Sequence, residues 1–250
     1  MLRTRDVRNS STRRHAPRMT TVLSWNIALC KPSNEAKWDH DENTRRIEQA
    51  ITDSNADILS IQEAPSDTWS TSGILGSNYT LVGSVKTHCG FTMILVKATK
   101  QALRVHIEGA PAIGALVDGV VYVAMHLMPH KNGLYCRMQQ MQNILASTPS
   151  SVRRCVIVGD SNMRNVEGDA IENLGLADAW KQSGGCLDTE YTWNSRINRY
   201  HKDGFEFVCR FDRAYLRETT CTDFNLISNT KKEGAFLSDH FGILLNVTVD

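Results

Sequence analysis

The sequence predicts a strand-rich α/β sandwich folded as one domain, and three observations predict it. Short apolar or alternating runs are numerous, only two or three stretches carry helical spacing, and several strands have no helix after them. A doubly wound parallel sheet needs a helix between successive strands, so this pattern argues against it. A length of 250 residues suits one large sandwich.

Each element follows in order. Residues 21–27 (TVLSWNI) alternate β-branched or aromatic residues with polar ones and predict a strand. Residues 43–53 predict a helix, with Ile47, Ala50 and Ile51 on one face and Asn43 or Thr44 as its cap. Residues 56–62 (ADILSIQ) predict a buried strand that delivers Glu63 at the sheet edge. Residues 120–127 (VVYVAMHL) predict a strand with His126 near its end. Residues 135–145 then carry Met138, Met141, Ile144 and Leu145 at helical spacing. The fully apolar run 155–159 (CVIVG) predicts a strand with Asp160-Ser161-Asn162 in the turn after it. Residues 205–216 and 242–249 predict two closing strands.

Residues 1–18 differ in kind. They hold six Arg and one acid, Asp6, with no apolar periodicity, and predict a basic flexible tail before a domain spanning 19–250. That composition fits a solvated tail, a nucleic-acid-contacting arm, a nuclear signal or a transit peptide, and Met19 could serve as an alternative start. Removing those seven residues from the chain's 28 basic and 27 acidic ones leaves 22 and 26, a formal charge of −4. The globular part is therefore no general polyanion binder, and nucleic-acid binding would depend on a local patch or on bound metal. No apolar run reaches the ~18 residues of a membrane span. Seven scattered Cys without a C-x-x-C pair point to reduced thiols and an intracellular protein, in nucleus or cytoplasm, with an organelle left open by the Arg-rich start.

Five predicted strands end in polar residues that a core strand does not require: Asn26, Glu63, His126, the pair Asp160 and Asn162, and the pair Asp239 and His240. Asp212 joins them inside Arg210-Phe211-Asp212-Arg213. Singly, such residues are turn or cap residues. Strand ends at one rim converge in space, and together they form a candidate site. The types suit attack of water on a phosphodiester. Glu63 and Asp239 can supply carboxylates to Mg²⁺, with Mn²⁺ as a substitute. Asp160 can orient and deprotonate a water that Asn162 holds, His126 and His240 can donate to phosphate oxygens, and Asp212 can fix one His tautomer.

Ser24-Trp25-Asn26-Ile27, residues 57–63 (DILSIQE), Gly159-Asp160-Ser161-Asn162 and Ser238-Asp239-His240 occur in the order found in the endonuclease/exonuclease/phosphatase superfamily, which the chain resembles over residues 20–250. The resemblance implies a four-layer α/β/β/α (DNase I-like) sandwich. Finer features resemble the tyrosyl-DNA phosphodiesterase type 2 branch: His126-Leu127 followed by Arg137-Met138, Met163-Arg164 after the Asp160 motif, Tyr191-Thr192-Trp193, and residues 210–213 and 237–242.

Carried over, that resemblance implies that Glu63 binds Mg²⁺ directly and Asp239 through a water. Asp160 and Asn162, supported by Asn26, handle the nucleophilic water. His126 and His240 grip the phosphate, and Asp212 orients His240. Arg164, Lys131, Trp193 and Arg210 contact a single strand bearing a 5′-tyrosyl adduct, combining charge with stacking. Trp193 suits core as well as stacking, Lys131 suits open surface, and Arg210 and Arg213 suit a brace for the rim. Ala28 and Asn194 stand where the branch usually has acids. Pro129, which lacks a side-chain donor, stands where a small hydroxyl residue is usual.

The expected activity is hydrolysis of the 5′-phosphotyrosyl bond in DNA repair, by a monomer. The alternatives are the same chemistry on another diester (an apurinic-site endonuclease or an RNA exonuclease), a non-enzymatic binding module, and a lipid phosphodiesterase. The last lacks a membrane-binding segment. No appended recognition domain is visible, so targeting is expected from residues 1–18 or from elsewhere.

Overall fold

The computed structural model describes residues 18–71, 73–201 and 206–249. Residues 1–17 of the expected tail and Phe205, the start of one expected strand, lie outside them.

Strands and helices are numbered in chain order. The first half of the chain gives β1 (Arg18–Asn26), α1 (His40–Asp53), β2 (Ile58–Ala64), α2 (Gly73–Asn78), β3 (Tyr79–Lys86), β4 (Phe91–Lys97), β5 (Leu103–Val105), β6 (Ala112–Val117) and β7 (Val120–His126). The second half gives α3 (Leu134–Ser147), β8 (Cys155–Asp160), α4 (Gly168–Glu172), β9 (Ala177–Asp178), α5 (Ala179–Gln182), β10 (Trp193–Asn194), β11 (Val208–Cys209), β12 (Asp212–Arg217), β13 (Thr220–Ile227) and β14 (Gly242–Val249). Two six-stranded sheets result, ordered β13-β14-β1-β2-β4-β3 and β5-β6-β7-β8-β12-β9, with β10 and β11 forming a small ribbon.

Three buried clusters separate four layers. Val22, Ile58, Ile94, Tyr122, Val158 and Leu245 fill the space between the sheets. Their sequence neighbours point the other way, as side chains alternate along a strand. Leu23, Leu59 and Leu95 meet Ile47 and Ile51 of α1, while Val121, Val123 and Ile157 meet Met141 and Ile144 of α3. Sheets buried on both faces read as continuous apolar runs, which is why ADILSIQ and CVIVG carry so little alternation. This is the α/β/β/α sandwich, one domain over the described residues.

Several expected boundaries shift. β1 begins at Arg18, inside the expected tail. Helix α1 begins three residues before Asn43, because Asp39 caps it by accepting from the backbone N–H of Glu42 at 2.9 Å. Asn43 is buried instead and donates to the carbonyls of Cys30, Lys31 and Leu237. The expected strand over 205–216 breaks at Arg210-Phe211, leaving β11 and β12 in different sheets.

Parallel pairing sets where the polar ends fall. β1 runs parallel to β2 and β7 to β8, so Asn26, Glu63, His126 and Asp160 emerge at corresponding ends. β12 is antiparallel to β8, and its first residue, Asp212, pairs with Asp160. The residues leading into β14 arrive at the same rim, where Ser238 Oγ donates to the Asn26 carbonyl at 2.7 Å and Trp25 Nε1 donates to the His240 carbonyl at 3.0 Å.

Gly159, one residue before Asp160, lets β7 and β8 approach. It has φ 153°, and a Cβ there would lie 1.9 Å from the Met125 carbonyl oxygen. Rigid backbone on both sides cannot yield, so Gly159→Ala is expected to cost about 3 kcal/mol or more, at the upper end of overpacking effects. Urea unfolding measures it. A midpoint equal to wild type would show that the strands part freely.

Candidate active site

Asn26 ties the two halves of the rim together. Its Nδ2 donates to Glu63 Oε1 at 3.1 Å and to Asp160 Oδ2 at 3.0 Å, while its Oδ1 accepts from the Ala28 backbone N–H. Those bonds fix the amide's orientation, since nitrogen must face both carboxylates. Glu63 sits at a β-bulge of β2, with φ 54°. A left-handed non-glycine residue costs free energy and persists only where its surroundings over-determine it. The bulge re-aims the carboxylate out of the sheet.

Asp160 is 2% exposed. Its Oδ1 accepts from the Asn162 backbone N–H at 2.9 Å, and its Oδ2 lies 3.6 Å from His126 Nε2 and 3.8 Å from His240 Nε2. Burial alone would raise its pKa. The charges of His240 and His126 and the bond from Asn26 outweigh burial and hold the carboxyl below the usual carboxylate range. Asn162, also left-handed at φ 52°, donates through Nδ2 to the Leu127 carbonyl.

Behind Asp160, His240 Nδ1 and Asp212 Oδ2 share a hydrogen at 2.7 Å. Burial pushes the Asp212 carboxyl up and works against a charged imidazole, but Asp212 and Asp160 together carry His240 well above the ordinary histidine value. Thr192 Oγ1 accepts from the Asp212 backbone N–H at 3.0 Å, tying Tyr191-Thr192-Trp193 to this pair.

Two carboxylate groupings could hold a cation. Atoms of Asp160, Asp212 and His240 lie within 4.8 Å of one another, but the short Asp212–His240 bond already occupies that cluster. Glu63 fits better. Among the described residues its oxygens accept from neutral groups, the Asn26 amide and the Cys89 thiol at 3.2 Å, and it enters no ion pair. A half-buried carboxylate oriented but not neutralised suits a hard divalent cation. Asp239 is near the rim, with Oδ2 2.8 Å from His201 Nε2.

Beside this centre opens a cleft of about 770 Å³ whose lining includes the cations Lys131, Arg164 and Arg199, the rings of Trp193, Phe207 and Phe211, and the acids Glu35, Glu206 and Asp239. Trp193 is half-buried, stands edge-on to His240 at 4.9 Å and stacks with His201 at 5.8 Å between centroids. It thus belongs to the cleft and not to the core. The Arg164 guanidinium lies over Phe211 at 5.3 Å and donates to the Asn162 carbonyl. Lys131, also part of the lining, is exposed. Arg137, fully buried, donates to Glu167 and to the carbonyls of Met128 and His130, bracing the loops that carry Lys131 and Arg164.

Arg210 requires correction. The expected strand contact is 5% exposed and donates from Nη1 to Asp178 Oδ1 at 2.7 Å, with its guanidinium 4.6 Å over the Trp180 ring. Asp178, itself buried, needs a positive partner and takes Arg210 away from the cleft. The sequence did not mark Cys89, His88, His201 or Phe207 as site residues. None lies in a polar strand end, and each reaches the site from a loop or short ribbon.

A model of the Endonuclease/Exonuclease/phosphatase family matches residues 23–240. The chain belongs to that family. The family's name spans endonucleases, exonucleases and phosphatases, enzymes that hydrolyse phosphate esters. Curated relatives include Tyrosyl-DNA phosphodiesterase 2 of Danio rerio, 30% identical over 129 residues that cover 47% of this chain and 35% of the relative. The Xenopus laevis protein of the same name is 22% identical, covering 92% of this chain and 66% of the relative. The chain thus spans from about a third to about two thirds of the length of these relatives. Among solved structures, Danio rerio TDP2 complexed with single-strand DNA product aligns with TM-score 0.73 at 20% identity, covering 92% of this chain and 98% of that one. An endonuclease/exonuclease/phosphatase family protein from Bacteroides thetaiotaomicron aligns with TM-score 0.67 at 16% identity, covering 94% and 100%. No helix among the described residues is long and apolar enough to cross a membrane.

Proposed function

We propose that the chain is a Mg²⁺-dependent phosphodiesterase that hydrolyses the bond between a protein tyrosine and the 5′ phosphate of a DNA or RNA strand, leaving the 5′ phosphate. The observation that carries this is the Asn26-centred array of Glu63 and Asp160, with His240 behind it, opening beside a cleft in which Arg164 lies over Phe211 and Trp193 stands next to His240. Such walls suit a single strand, whose backbone meets Lys131 and Arg164 and whose bases stack on Trp193. The likeness to tyrosyl-DNA phosphodiesterases supports the adduct.

Asp160, kept ionised, accepts a hydrogen bond from the attacking water, and Asn162 limits where that water sits. His126 and His240 offer Nε2 to the phosphate oxygens. Asp212 holds His240 Nδ1, so Nε2 faces the site. Glu63, and Asp239 through a water, would hold Mg²⁺ or Mn²⁺, which supplies Lewis-acid stabilisation of charge on the phosphate. The protein acts as an intracellular monomer in DNA repair, in nucleus or cytoplasm.

The test is a single-stranded oligonucleotide with a 5′-phosphotyrosyl group, incubated with Mg²⁺ or with EDTA. Magnesium-dependent release of tyrosine is expected. An untouched oligonucleotide beside cleavage of abasic duplex would reassign the chain to apurinic-site chemistry.

The Asp212–His240 pair also predicts a pH effect. Asp212→Asn removes the larger of the charges that raise His240. His240 then loses its proton at lower pH, so the alkaline limb of the kcat profile is expected to move to lower pH, the acid side changing less. An unmoved limb would exclude His240 as a charged donor.

A further inference from the structure

The turn between β3 and β4 brings to the centre two side chains that the proposed reaction does not use. Cys89 Sγ donates to Glu63 Oε2 at 3.2 Å, and His88 stands edge-on to His126 with ring centroids 4.4 Å apart. The turn has little freedom. Thr87 N–H donates to the Gly90 carbonyl at 3.0 Å, and Thr87 Oγ1 donates to the Cys89 carbonyl at 2.9 Å. Gly90 has φ 65°, and a Cβ there would lie 2.6 Å from the Ala64 carbonyl oxygen. The turn therefore rests directly on the residue after Glu63.

This contact has a definite task. The bulge fixes where Glu63 leaves the strand, but the terminal torsion of a glutamate is broad and two-fold, so backbone geometry does not set the plane of its carboxylate. Asn26 Nδ2 holds Oε1 and the Cys89 thiol holds Oε2. A thiol is a weak donor that adds no charge, so it can orient the carboxylate without competing with a cation for it. A lysine at the same place would neutralise the seat. Partners of metal ligands commonly matter for this reason.

We propose that Cys89 is a positioning residue for the divalent-cation seat, orienting Glu63 through the Sγ–H···Oε2 bond. The inference rests on the reading that Glu63 holds the cation.

The experiment is direct binding of Mn²⁺, followed by the loss of its free paramagnetic resonance signal, to the full chain and to Cys89→Ala, Cys89→Ser and Glu63→Ala. Melting of each variant in EDTA checks the fold without metal. Cys89→Ala is expected to weaken Mn²⁺ binding by about 10-fold, the low end for lost partners of metal ligands. Cys89→Ser, which keeps a donor, is expected to recover most of that loss. Cys89→Ala binding like wild type while Glu63→Ala loses the ion would overturn the inference and leave Glu63 as ligand. Weakening in both Cys89 variants alike would assign the effect to packing and overturn it too. Full binding by Glu63→Ala would remove the cation reading itself.

Discussion

Asp160→Asn is expected to lower turnover by roughly 10²–10⁴-fold, the usual contribution of a positioned acid–base group, with KM little changed. The reason lies in the number of acceptors. Both Asp160 oxygens are used, Oδ1 by the Asn162 N–H and Oδ2 by Asn26 Nδ2, while His126 and His240 stand within 3.8 Å of Oδ2. An amide has one oxygen, so it can satisfy Asn162 or Asn26 but not both, and its NH₂ would meet a donor. Leaving one buried donor unmade costs about 1–3 kcal/mol, so a lowered melting temperature should accompany the lost rate. Removing the negative charge also withdraws support from protonated His240. Comparing kcat and KM with thermal melting separates these effects. A raised KM at unchanged kcat would mean that Asp160 holds substrate and not water.

The strand ends that form this site were legible in sequence because the signal there is local. A buried strand with a polar final residue stands out in seven letters, and four such ends fall at corresponding places in the parallel pairs β1–β2 and β7–β8. Whole strands without that contrast were missed. β13 is an edge strand whose sequence, TCTDFNLI, carries polar residues on one face, and β3 contains Gly83 beside a register shift, so neither shows clean alternation. The cap of α1 escaped because the apolar face begins only at Ile47, two turns after Asp39.

Side-chain partners were less legible than strands. Arg210 lies in a motif with Asp212 yet turns to Asp178, 32 residues earlier in the chain, because a buried carboxylate requires a cation more than the open cleft does. Cys89 meets Glu63 only once β2 and β4 have paired, and His201 meets Asp239 only once the loop carrying it has folded onto the rim. Nothing local in the sequence distinguishes them from other loop residues.

Glu63→Ala is expected to abolish metal-dependent turnover, a loss on the order of 10³-fold if the cation supplies several kcal/mol. Several features make this side chain hard to replace. It is aimed by a bulge, held at φ 54°, and clasped by an amide and a thiol that carry no charge. Without metal, the carboxylate contributes little to the fold: it enters no ion pair among the described residues, and the bulge is a backbone feature that Ala can also occupy at similar strain. The variant should therefore melt in EDTA close to wild type. With metal the two should diverge, because an ion that binds only the native state stabilises it by RT ln(1 + [L]/Kd), about 2.7 kcal/mol at a hundredfold excess over Kd. Wild type should gain that increment with Mg²⁺ and Glu63→Ala should not. Equal gains would place the cation elsewhere, with Asp160, Asp212 and His240 as the next set to substitute. An unchanged rate in Glu63→Ala would remove Glu63 from the chemistry altogether.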